Sequence, residues 1–269
     1  MNACWRVIAL MAAALAPHLA SAQSPTIQPD ELYKAETIVT GTGEQERMRG
    51  FRIGVEDVVV KLTGDVSLAG TRQASDVAEH AADLVADFTY EDRMKDIPVH
   101  DEQGTRDRPH FLRMRFDAAR FDTALQKAGL TKWTGERPTL AVWIGISEPR
   151  GKYVLAAKGD GYGQREVIKD ASKKRAIPIL LPPENQTEVN YDAIAKGDAA
   201  LLRQASKELG GNAILYGLLD FDGEAHWNTR WTVAGDGVDA AWKMQGVTFD
   251  AALKGAIDQV AAAYSRQAR

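Results

Sequence analysis

The sequence predicts a two-part protein of class α+β/α/β: an α+β domain over 32–135, then an α/β domain over 136–269 ending in a hairpin and a helix. Three observations predict it. Apolar residues recur with a helical period from Met48 to Leu62 between segments of strand character. A near-continuous apolar run, Leu140 to Ile146, restarts the pattern after Pro138. Strand-like and helix-like segments then alternate to the carboxyl terminus, as in a sheet with helices on its faces.

The amino terminus is read as a leader. A single positive charge at Arg6, the apolar run Val7 to Leu15, the helix-breaking Pro17 and small residues at Ala20 and Ala22 follow the order of a secretory signal over 1–22, with cleavage expected after Ala22. The run is too short to span a bilayer, so no integral membrane span is expected once the leader is gone. Cys4 is the chain's one cysteine and would leave with it, so the mature protein would hold no disulfide, thiolate nucleophile or cysteine-bound metal. The expected compartment is the periplasm.

Residues 23–31, with Pro25 and Pro29, read as a linker. A strand is expected over Leu32–Thr40, a helix through Met48, Phe51, Val55 and Leu62 to the stop at Gly64, and a second helix over Gln73–Ala86 capped by Ser75. Strands Phe88–Ile97 and His110–Phe116 flank a charged loop, Pro98–Pro109, and Asp117 caps a helix that ends at Gly129. The unit reads β-α-α-β-β-α. Beyond residue 135, strand Leu140–Ile146, helix Gly163–Ala176, strand Ile177–Leu181, helix Ala199–Leu209 and strand Ala213–Leu219 give a βαβαβ order. A hairpin, Trp227–Val233 with Val238–Gln245 about Gly235-Asp-Gly237, precedes a last helix, Phe249–Tyr264.

Composition narrows the partners. The 269 residues carry 33 Lys and Arg against 37 Asp and Glu, a net charge of −4, so the basic excess that nucleic-acid binding requires is missing. With 45% apolar and 26% charged residues, disorder, collagen and a multi-span membrane protein are excluded.

Several runs taken together, Val39-Thr-Gly-Thr-Gly-Glu-Gln-Glu-Arg-Met-Arg-Gly50, Val58-Val-Val-Lys-Leu-Thr-Gly-Asp65, Leu112-Arg-Met-Arg-Phe-Asp117, Ala128-Gly-Leu-Thr-Lys-Trp133 with Glu136-Arg-Pro138, and Gly210-Gly-Asn-Ala-Ile-Leu-Tyr-Gly217, resemble the DUF2066 family of exported bacterial proteins. That resemblance implies no assigned activity and no catalytic residues to carry over. More distantly, the first half is similar to the first domain of the flagellar T protein. The second half looks like the α/β module shared by the curli secretion protein and the amino-terminal domain of TolB, which implies binding in envelope assemblies.

Each candidate site has a structural alternative. Gly41-Thr-Gly43 could cradle an anion at a helix start, but the third glycine of a dinucleotide fingerprint would fall at Glu46, and a tight turn explains the pair. Arg47, Arg49 and Arg52 read as a solvated helix face with Arg52 pairing Glu56. Asp76, His80 and Asp83 would share a helix face and could offer three zinc ligands, or be a solvated polar face. Asp220 and Asp222 occupy the carboxyl edge where α/β sheets bind ligands, or a hydrogen-bonded turn. Trp227, Trp231 and Trp242 could stack sugar rings or a partner's side chains from an open sheet, or fill a core beneath the last helix.

No metal site and no cofactor is expected. The function expected is non-catalytic: binding or scaffolding a protein or cell-wall glycan in the envelope. The alternative is a cofactor-independent hydrolase of an envelope polymer that would draw on Asp220 and Asp222.

Overall fold

The computed structural model describes residues 27–97 and 107–268, which form eight α-helices and two sheets. The leader over 1–22 with Cys4, residues 23–26 of the linker, and residues 98–106 of the charged loop, with His100, lie outside the described residues.

In the first sheet β1 (Lys34–Thr40), β3 (Pro109–Phe116) and β2 (Val85–Asp92) run antiparallel in the order β1-β3-β2. Helix α1 (Glu44–Thr63) lies across one face, where Val55, Val58, Val59 and Leu62 are fully buried. Strand alternation sends Val39, Leu112 and Met114 toward α1 and Glu36, Arg113 and Arg115 to the opposite face. Gly64, at φ 68°, ends α1 as expected. Asp117 caps α4 (Ala118–Lys127) by accepting from the Arg120 N–H at 2.9 Å.

Four expectations for this half need correction. Strand β1 begins two residues late because Pro29–Tyr33 coil into a 3₁₀ turn started by a proline whose fixed φ suits it. The helix expected over 73–86 is two pieces, α2 (Arg72–Ala78) and α3 (Ala81–Leu84), broken around His80 and capped by Thr71 rather than Ser75. Val85 then pairs with Phe116 and opens β2 three residues before the expected Phe88, so sheet pairing overrides the helical pattern. On α1 the ion pair is Glu46 with Arg49 at 2.6 Å, in place of Arg52 with Glu56; Glu46 also accepts from the Thr40 N–H, and Arg49 donates to the Ile38 carbonyl.

The second sheet has six strands. Its order is β5 (Gly151–Val154), β4 (Leu140–Glu148), β7 (Ala213–Phe221), β8 (Trp227–Gly235) and β9 (Val238–Val247), with β6 (Ile179–Leu180) beside the start of β4. Strands β6, β4 and β7 are parallel and the other pairings antiparallel. Helices α5 (Tyr162–Arg175) and α8 (Phe249–Gln267) cover one face. Helices α6 (Tyr191–Lys196) and α7 (Ala199–Leu209) cover the other over β4 and β7. This is why β4 is apolar without alternation: Leu140, Val142, Ile144 and Ile146 join the α5/α8 core, while Trp143 faces α7 and donates its indole N–H to Ser206 Oγ at 2.8 Å. The expected βαβαβ run is present with one added strand and one added helix, as β4-β5-α5-β6-α6-α7-β7, and its middle strand shrinks from the expected 177–181 to Ile179–Leu180. Strand β5 and helix α6, four and six residues long, are too short to leave a periodic pattern and were not expected.

The segment between the sheets is seated at both ends. Trp133 belongs to the second core at 3% exposure, while its N–H bonds the Leu62 carbonyl of α1 at 2.8 Å. Arg137 lies over the Trp133 ring at 4.1 Å and donates to two helix ends at once, the Lys61 carbonyl of α1 at 2.7 Å and the Arg175 carbonyl of α5 at 2.9 Å. A cation is favoured at both carboxyl ends. Burial pushes the guanidinium down to about 10, which leaves it charged at neutral pH. Ser265 of α8 adds a bond to the Gly64 carbonyl.

Candidate binding groove between the two sheets

A cavity of about 410 Å³ opens where the first sheet meets α5. Its walls come from the outer face of the first sheet, through Glu36, Asp87, Arg113 and Arg115, and from Asp170, Lys173 and Lys174 of α5. Asp57 and Lys61 of α1, one helical turn apart, complete it. Both halves of the chain therefore contribute to one groove.

Most charges in this groove are engaged with one another. Arg113 pairs with Glu36 at 2.6 Å and with Glu91 at 2.5 Å, and Arg115 pairs with Asp87. Lys173 reaches Glu36 at 3.7 Å across the seam, and Lys174 holds Asp170 at 3.4 Å. Lys61 is 6% exposed and donates to the Lys34 carbonyl at 2.5 Å and the Glu31 carbonyl at 3.4 Å, pinning the 3₁₀ turn and β1 onto α1. Burial pushes its amine down to about 8.

Asp57 stands apart. Among the described residues its half-buried carboxylate has no hydrogen bond and no ion pair within direct reach. Burial raises its pKa, and the more distant charges of Lys174, Arg175 and Lys61 offset only part of that. A carboxylate held partly out of water beside a groove favours a cationic group that would complete it.

The residues singled out in the sequence fall elsewhere. Gly41, at φ 77°, makes a tight turn whose N–H bonds the Arg108 carbonyl, and a side chain there would strike Asp107. Among the described residues no cluster of three His, Cys, Asp or Glu could hold a metal, so Asp76, His80 and Asp83 do not form a zinc site. Asp222 accepts from the N–H groups of Glu224 and His226 at 3.0 and 3.2 Å and is a turn former. Asp220 accepts from the Tyr191 hydroxyl at 2.6 Å, at the carboxyl end of the parallel strands. Burial and Asp220 together push that tyrosine up to about 12.

Trp227 and Trp231 are 5% and 1% exposed and lie in the core beneath α8, with the half-buried Trp242 directly opposite Trp231. They offer no open stacking platform. Trp231 lies across Gly217 on the neighbouring strand, where a Cβ would come within 2.5 Å of the indole. The glycine makes room for the ring.

Fold and groove together define an α/β protein of two sheet-and-helix bodies with a shared, charge-lined cleft. A family model described as a domain of unknown function, DUF8605, matches residues 27–134, the first of these bodies. This overturns the DUF2066 resemblance. The runs that suggested it include helix ends and tight turns at Gly41, Gly64 and Gly129, and such local solutions recur wherever a chain must reverse. No curated protein and no solved structure matches the chain.

Proposed function

We propose that the chain is an exported, non-catalytic protein of the cell envelope that binds a partner protein in the groove between its two sheets. Asp57 carries this reading: among the described residues it is the groove carboxylate without a hydrogen bond or ion pair, in a site where Glu36, Asp87 and Asp170 are each held by a basic side chain. The ligand group that suits it is a lysine or arginine side chain on an extended segment. A second body related to the α/β module of the curli secretion protein and the TolB amino-terminal domain belongs to the same proposal, and the strand order β6-β4-β7 with helices on both faces supports it. Among the described residues no helix is long and apolar enough to cross a membrane.

The test places a photocrosslinking residue at Thr89, in the groove wall, and another at Lys196 on the far side of the second body, in intact cells. One partner captured from Thr89 alone, lost on Asp57→Asn, with the mature chain beginning at Gln23 in the periplasmic fraction, is the expected result. Equal capture from both positions, or capture indifferent to Asp57, contradicts groove binding.

A further inference from the structure

We infer that the chain pairs with a second copy of itself through the free edge of β9, about a two-fold axis at Ala241. Strand β9 has ten residues and ends the sheet, so among the described residues one side of its backbone pairs with no strand. The β8–β9 hairpin closes through Gly235 opposite Val238 about Asp236 and Gly237, both in the left-handed region at φ 48° and 81°. That is the two-residue turn whose closing pair is hydrogen-bonded. Bonding alternates along an antiparallel ladder and the register is unbroken from Val238 to Met244, so Val238, Ala240, Trp242 and Met244 bond to β8. The N–H and C=O groups of Asp239, Ala241 and Lys243 therefore point outward, an open template for another strand.

Charge selects the occupant and the register. Asp239 and Lys243 are exposed on the uncovered sheet face, and neither has an ion-pair partner among the described residues. Lys243 lies directly opposite Arg230, a like-charge neighbour, and neither side chain has an ion pair among the described residues. In an antiparallel pair centred on Ala241, Asp239 meets the partner's Lys243 twice over, which neutralises both ends of the seam. On the opposite face Trp242 lies across from the partner's Ala240, large against small, also twice. Centring the axis on Asp239 or Lys243 sets like charges against each other, and centring it on Ala240 or Trp242 leaves both unpaired. Only the Ala241 axis brings Asp239 opposite Lys243.

Sedimentation of the full mature chain over a concentration series tests this. The expected result is a dimer that Lys243→Asp weakens by about tenfold or more, that the swap Asp239→Lys with Lys243→Asp restores, and that added salt weakens. Ala241→Pro, which removes an outward N–H at an edge position that tolerates proline, should give a folded monomer with an unchanged circular dichroism spectrum. A wild-type chain that stays monomeric at every concentration, or a dimer indifferent to both Lys243→Asp and Ala241→Pro, overturns the inference.

Discussion

At the residue scale, Asp57 and Lys61 place binding and stability in opposition. Burial raises the Asp57 carboxyl, so in the folded state its charged form costs free energy at neutral pH. Asp57→Asn should accordingly raise the melting temperature at pH 7 while reducing capture of the partner; a variant that lost both stability and capture would make Asp57 a structural residue only. Lys61 gives a pH signature. Its folded amine titrates near 8 against 10.5 for a free lysine. Between those values the unfolded chain binds more protons than the native one, so this residue's contribution to stability rises with pH across that window. The gap corresponds to on the order of 3 kcal/mol. Denaturant titrations at pH 7.5 and 9.5 should show the rise in the wild type and a flatter profile in Lys61→Met. Neither residue announced itself in the sequence, because an acid and a base one turn apart on a helix read as a solvated pair. Their burial comes from α5 and β1, residues distant in the chain.

At the scale of elements, the approach of α1 to its sheet depends on two glycines. A Cβ at Gly50 would meet Leu112 and Val39 at 2.6 and 2.8 Å, and one at Gly54 would meet the Met114 sulfur at 2.6 Å. Alanine in a helix interior gains about 1 kcal/mol over glycine, while overpacking a core costs about 1–3 kcal/mol. The flexible methionine can move aside and the branched pair cannot. Gly50→Ala should therefore destabilise by about 1–2 kcal/mol and Gly54→Ala should be near neutral, as measured by chemical denaturation; equal losses would place the two contacts on an equal footing. Long, strongly patterned elements were legible in the sequence: α1, α4, α7, α8 and the strands β4, β7, β8 and β9 all lie within a few residues of expectation. What was not legible is short or set by distant pairing. Strand β5 exists because Gly151–Val154 fold back onto β4, and the expected helix stops at Leu84 because Val85 is claimed by Phe116. The tryptophan cluster was visible, but its role turned on Gly217 in a neighbouring strand, which periodicity within one strand does not reveal.

At the scale of the whole molecule, one arginine ties the halves together. Arg137 satisfies carbonyls at the ends of α1 and α5 and stacks on Trp133, which itself spans the seam by bonding α1 and filling the second core. The residues from Trp133 to Pro138 looked like a boundary in the sequence because glycine, proline and charge cluster there. Their side chains act as a clamp, and the groove keeps its shape because of it. Losing two charge-assisted bonds and a stacked cation should cost about 2–4 kcal/mol, and Arg137→Lys should not rescue it, since one ammonium cannot reproduce the planar fork. Native-state hydrogen exchange on wild type and Arg137→Ala tests the central claim, that both sheets and the groove between them form one cooperative unit. Slow amides of β3 and of β4 should open with the same free energy in the wild type and fall together in the variant. A first sheet that opens at its own lower free energy, indifferent to Arg137, would contradict it.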